Sequence, residues 1–320
     1  MTMFLEHFRI TGIAMGQIFL LSAIGYLLAR RNIIGQDGLA AFSRLVIEVT
    51  LPLLIFTKLV QGFSFRLYPR WWIFPLLSIL ITLAGLLIGA SFMNSAKGQE
   101  HRRQFLSLVT FQNSGFLPMA LIAALFTKAE ADVIFIYLFL FLMGFNLVIW
   151  SLGVHMLSFH KNKKFELGSL FSPPVLATLF SLVLVFFGLN RLVPAALYKP
   201  LKMVGDCTVP IALLVVGGNL ARIHLGKVDK KAIPLMLLAK MILLPALGLY
   251  LVTKLHLPLL VGLLIIMELA MPSAASLSVI LRHYKKEDLL ISQGIFFSHL
   301  FGIISIPLFL SLYFALSMIK

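Results

Sequence analysis

Residues 111–123 read F-Q-N-S-G-F-L-P-M-A-L-I-A and lie near the middle of an apolar run long enough to cross a bilayer. Gln112, Asn113, Ser114, Gly115 and Pro118 make a poor unbroken helix in lipid. Proline lacks a backbone N–H and clashes one turn back, while glycine favours unwinding, so the backbone around Asn113 is expected to expose polar groups. In hydrocarbon such groups are tolerated only inside protein or against a water-filled cavity. A second stretch, M-E-L-A-M-P-S-A-A-S over 267–276, has the same character at mid-depth of a late apolar run. Two interrupted helices in corresponding places of two halves point to a transporter site.

The rest of the chain fits that reading. Its 320 residues are 60% hydrophobic and 12% charged, with a mean hydropathy of +1.00, a composition of polytopic membrane proteins. The 27 Lys and Arg against 12 Asp and Glu fall mostly in short turns between apolar runs, where they orient a membrane protein and argue against a nucleic acid partner. One cysteine, Cys207, leaves no intrachain disulfide and no Cys-rich metal site. The run Ile10–Ala29 ends in Arg30-Arg31 with no small-residue cleavage site and is expected to stay as a span.

Scanning for about 20 apolar residues per crossing predicts ten spans near 10–29, 39–60, 71–93, 104–127, 132–157, 174–190, 200–221, 232–253, 257–282 and 288–318. The odd-numbered loops between them hold 15 Lys and Arg, including Lys161, Lys163, Lys164, Lys285 and Lys286, against 8 on the other side. The positive-inside rule therefore predicts a multi-pass protein of the cell (inner) membrane with cytoplasmic odd loops and both termini outside. Lys240, midway along span 8, is the one clearly intramembrane cation in this reading.

The two halves also match each other. Glu48-Val49-Thr50-Leu51-Pro52 aligns with Asp206-Cys207-Thr208-Val209-Pro210, Pro75 with Pro234 and Pro118 with Pro272, at offsets of 158, 159 and 154. Five spans per unit is an odd number, so the second copy enters from the opposite side as an inverted repeat. The expected domains are residues 1–157 and 174–320, joined by a short cytoplasmic linker over 158–173.

The chain resembles the auxin efflux carrier family of membrane transporters, whose bacterial members include carriers of small dicarboxylates. The resemblance runs through I-G-Y-L-L-A-R-R (24–31), T-L-P-L-L-I-F-T-K-L (50–59), N-S-G-F-L-P (113–118), S-L-F-S-P-P-V-L-A (169–177), V-G-D-C-T-V-P-I-A-L-L (204–214) and E-L-A-M-P-S-A (268–274). It implies ten helices in two inverted five-helix repeats, with helices 4 and 9 broken and crossing as in sodium/proton antiporters and bile-acid symporters. The short middle loop is that of a compact, prokaryote-type member.

Read from depth, Asn113 lies roughly 14 Å into span 4 at about 1.5 Å per residue, where its amide suits a substrate carboxylate or an interhelical bond. The expected substrate set is Asn113, Ser114, Gly115 and Pro118 from one break and Ala270, Met271, Pro272 and Ser273 from the other. Glu268, Asp206 and Glu48 are candidate coupling acids, because a carboxylate at helix centre costs about 2.5–3.5 kcal/mol on insertion scales. Lys240 either attracts an anion or neutralises Asp206 or Glu268. The histidines, His155 and His299 among them, show no metal spacing and are read as bland. Gly217-Gly218 is read as permitting close helix packing. No phosphate-loop motif and no cofactor motif is present, and no enzyme is expected.

The leading expectation is a secondary transporter of a small organic anion, such as a dicarboxylate or auxin-like acid, working by alternating access with H+ or Na+ coupling open. A sodium-coupled bile-acid-type symporter, a cation/proton antiporter and a non-transporting membrane sensor stand as alternatives. Membrane lipid is the expected surrounding, and a homodimer is left open.

Overall fold

The computed structural model describes residues 2–158, 171–223, 225–283 and 289–317, and the regular elements among them are helical. In chain order they are α1 (Thr2–Arg30), α2 (Gln36–Gly62), α3 (Ile73–Ser95), α4 (Gln99–Thr110), α5 (Phe116–Leu125) and α6 (Lys128–Ser158). There follow α7 (Pro173–Phe186), α8 (Ala195–Ala221), α9 (Ala232–Lys254), α10 (Leu259–Ala270), α11 (Ser276–His283) and α12 (Leu289–Ser317). Among the described residues seven helices, α1, α2, α3, α6, α8, α9 and α12, are long and apolar enough to cross a membrane, and α5, α7 and α10 are shorter apolar helices. Most of the expected linker and its lysines 161, 163 and 164, together with Lys285 and Lys286, lie outside the described residues.

Local chemistry accounts for several boundaries. Pro173 and Pro174 open α7 in the first turn, where a missing N–H leaves no helical bond unmade. Thr127 starts α6 with its backbone N–H donated to Glu130 Oε2 at 3.1 Å, half of a capping box. Wide five-residue turns interrupt α2 at Val46–Thr50 and α9 at Ala239–Leu243, and in each a proline, Pro52 or Pro245, follows two residues later. A proline cannot donate to the preceding turn and its ring crowds the carbonyl there, so the helix widens instead of breaking.

The expected runs 104–127 and 257–282 are each two helices joined by extended backbone, α4 to α5 and α10 to α11. Helices α1, α2, α7 and α8 pack on one another, α1 along α8 and α2 on both α7 and α8. Helix α1 also packs along α12, α3 lies on α6 and α4, and α10 packs on α9 and α12. Helix α6, the most buried of the long ones, places Phe139, Phe141 and Phe145 in the common core. A helix apolar on all sides is expected to be enclosed in this way.

Of the described glycines, the tightest approaches to another helix's backbone join α1 to α8. A Cβ at Gly217 would stand 1.7 Å from the Ser22 carbonyl oxygen, and one at Gly25 would stand 2.1 Å from that of Leu214. Small residues are what let two such helices touch without a gap. The packing role read for Gly217 is the one the structure gives it; Gly218 meets a side chain, Leu39, rather than backbone.

Candidate functional site at the helix crossing

Helix α4 ends at Thr110, and Phe111 is extended at φ −102°, ψ 119°. The freed backbone is satisfied by the other break. The Asn113 N–H donates to the Pro272 carbonyl at 2.8 Å and the Ala274 N–H donates to the Phe111 carbonyl at 3.0 Å, an antiparallel bridge centred on Gln112 and Ser273. Ser273 adds two more ties: its hydroxyl donates to the Leu108 carbonyl at 2.8 Å, and its N–H donates to Ser298 Oγ at 3.1 Å. Two non-helical segments therefore solve each other's hydrogen-bonding problem inside the protein, which hydrocarbon requires. Pro272 lies within its break, whereas Pro118 sits in the first turn of α5, where its missing donor costs little. The unwinding at the first break rests on Phe111–Gly115.

Side chains alternate across the extended strand and so divide the site into two sides. On one side Glu268, in the last turn of α10 and 0% exposed, lies beside the side chains of Gln112 and Ser114. None of these closes a hydrogen bond of normal geometry: both Glu268 carboxylate oxygens, both Gln112 amide atoms and Ser114 Oγ are buried without a partner. Lys240, 1% exposed in the wide turn of α9, reaches this region too. Its ammonium donates to the Val109 carbonyl at 3.0 Å, among the last carbonyls of α4, where the helix dipole favours a cation. Glu268 feels that charge at a distance and is not directly paired with it.

On the other side Asn113, 7% exposed, meets His299 of α12, with Asn113 Nδ2 at 3.4 Å from His299 Nε2. His299 Nδ1 lies 2.8 Å from the Ile295 carbonyl, an acceptor, so Nδ1 carries the proton and Nε2 accepts from the asparagine amide. The histidine read as bland from the sequence is thus in contact with the leading site residue. A lone histidine in an apolar run has no spacing signal that could have shown this. His155, by contrast, is exposed.

The structure gathers Asn113, Ser114, Ala270, Met271, Pro272 and Ser273, all buried, with Gly115 half-buried at the N-terminus of α5 and Pro118 just beyond it. It brings Glu268 and Lys240 to the same crossing. It does not bring Asp206 or Glu48 there: Asp206 is exposed near the middle of α8 and ion-paired with Lys202, not Lys240, and Glu48 is exposed on the wide turn of α2. The repeat that singled out both acids carries no sign of which face of its helix each takes.

A cavity of about 60 Å³ adjoins the Asn113 side, between the end of α8, helix α11 and helix α12, and His299 is part of its wall.

A family profile described as membrane transport protein matches residues 11–310. Protein PIN-LIKES 1 of Arabidopsis thaliana is 23% identical over 310 residues, covering 77% of this chain and 65% of that one. Protein PIN-LIKES 6 of the same plant is 28% identical over 120 residues, 37% of this chain and 28% of that one. An uncharacterised transporter of Schizosaccharomyces pombe is 26% identical over 115 residues, 36% of this chain and 25% of that one. The chain thus spans less than two thirds of the length of each of these relatives. With a match over most of its length and a set of apolar helices joined at two paired breaks, this multi-pass membrane protein belongs to the membrane transport protein family of auxin efflux carriers.

Proposed function

We propose that the protein is a secondary transporter of a small organic anion that works by alternating access around the crossing. The observation that carries this reading is the antiparallel pairing of Gln112 with Ser273, because backbone unwound in the interior of a membrane protein is a device for holding a polar ligand. In this reading the chain makes ten crossings as two inverted five-helix repeats, 1–157 and 174–320, with α4–α5 and α10–α11 each counting as one. The anion sits among Asn113, Ser114, Gly115, Pro118 and Ala270–Ser273, where the N-terminal ends of α5 and α11 turn their positive dipole ends toward it.

Coupling falls to Glu268 and Lys240. A buried carboxyl whose oxygens have no partner is costly as an anion, and accepting a proton relieves it. An anion entering the crossing raises the cost of a second negative charge nearby, so substrate and proton favour each other's binding. The same unpartnered oxygens of Glu268, Gln112 and Ser114 favour a second reading, in which Na+ takes the proton's place, as in a sodium-coupled symporter.

Uptake of labelled carboxylates into liposomes holding the purified protein, driven in turn by a pH gradient, a Na+ gradient and neither, tests the proposal. Gradient-driven accumulation of an anion is the expected result. No flux of any anion under any gradient would leave a sensor or assembly subunit as the better account.

A further inference from the structure

The cavity beside the crossing has a chemistry of its own. Its polar wall is Asn219 from α8, Arg222 just past the end of α8, Ser278 from α11 and His299 from α12. Its apolar wall comes from Val216, Ile223, Val279 and Ile295. Helix α8 forms one side of the cavity and α11 and α12 the other, so an occupant touches helices from both.

Arg222 is the charged group in this wall. Its Nη2 donates to Asn32 Oδ1 at 3.1 Å and to the Ile34 carbonyl at 3.4 Å, which ties it to the α1–α2 turn. Its Nε–H is buried with no acceptor. Among the described residues neither ion pair, Lys58 with Asp132 or Lys202 with Asp206, involves it. Among the described residues no carboxylate pairs with this guanidinium, and its unused Nε–H can donate a charge-assisted hydrogen bond to one.

We infer that Arg222 anchors the carboxylate of a short-chain monocarboxylate in this cavity, with the hydrocarbon end lying toward Val279 and Ile295 and the far end reaching the Asn113–His299 pair. The cavity's volume of about 60 Å³ suits a small ligand, and propionate is a probe of that kind. Charge sets the class. One cation in the wall balances one carboxylate, and a dianion would leave its second charge desolvated and unpaired. The inference rests on the transporter reading only for its purpose, since the cavity and Arg222 would bind such an anion whether or not it crosses the membrane.

The test reads binding without flux. In a Cys207→Ser background, Asn219→Cys places an accessible thiol in the cavity wall, and the propionate concentration that halves its labelling by a charged thiosulfonate gives the apparent affinity. Arg222→Gln is expected to raise that concentration roughly 30-fold or more, in line with loss of a desolvated charge pair, and Arg222→Lys to recover part of it. Asn32→Ala, which cuts the tether and leaves the guanidinium, is expected to stay within about threefold of the parent. Propionamide, the neutral isostere, and succinate, the dianion, are expected to protect poorly.

No protection by propionate in the parent, equal protection in Arg222→Gln, equal loss in Asn32→Ala and Arg222→Gln, or stronger protection by succinate than by propionate would each overturn the inference. Protection as described without flux in liposomes would remove the transporter reading and keep this one. Flux of larger anions with no propionate protection would do the reverse.

Discussion

Asn113 and Pro272, 159 residues apart in sequence, are joined by a 2.8 Å hydrogen bond from the N–H of the first to the carbonyl of the second. Each break supplies what the other lacks: the first brings free donors and acceptors, and the second brings a proline whose own carbonyl has no helical partner. Neither segment would be tolerable in an apolar interior alone. Their pairing also turns Asn113 toward His299 and turns Gln112 and Ser114 toward Glu268, so one local exchange of hydrogen bonds creates both sides of the site.

The α1–α8 contact is expected to be intolerant of any side chain. A Cβ at Gly217 would meet the Ser22 backbone at 1.7 Å, and backbone has no rotamer to shift. Gly217→Val should cost more than the ~1–3 kcal/mol typical of overpacking and be lost as aggregate on size-exclusion chromatography in detergent. Gly12→Ala, whose Cβ meets nothing within 4 Å on α1, is the control and should be neutral or slightly stabilising. A Gly217→Val protein that elutes and melts like the parent would show that the two helices are not in contact.

Orientation follows from the charge bias of 15 against 8. Single cysteines introduced in the 227–231 and 66–70 loops of a Cys207→Ser protein are expected to react with an impermeant reagent from outside only at 66–70. The opposite pattern would invert the protein in the membrane and put Arg222 on the other side.

For coupling, the expected agent is Glu268. Glu268→Gln mimics the protonated carboxyl, so it should still exchange substrate across the membrane while net transport no longer varies between pH 5 and 8. Lys240→Met removes both the cation and the donor to Val109, and by leaving that carbonyl uncapped should cost about 1–3 kcal/mol of stability. Adding Glu268→Gln to it should leave that loss unchanged, because the Val109 carbonyl stays uncapped and the two side chains are not directly paired. An unchanged pH profile in Glu268→Gln would remove Glu268 as the proton carrier; dependence on Na+ alone would remove proton coupling.

Much of this architecture was legible in the residues. Gln, Asn, Ser, Gly and Pro gathered inside an apolar run signal unwound backbone, and the matching break at 267–276 indicates what it pairs with. Other relationships leave no trace in a sequence. Lys240 is held by the Val109 carbonyl, and a backbone partner has no residue type to recognise. Asp206 was expected as a coupling acid from its place in the repeat, yet it is exposed and paired with Lys202, because a place in a repeat does not say which way a side chain points. His299 reaches Asn113 from 186 residues away, with no motif linking them.

If Asn113 holds the anion at the crossing, uptake into liposomes by Asn113→Ala is the measurement that shows it. Because Asn113 contributes its backbone N–H to the pairing whatever its side chain, the variant should fold, insert and melt near the parent temperature. Uptake should fall to the level of empty liposomes for every anion the parent carries. Normal uptake by a folded Asn113→Ala protein would place the anion site elsewhere.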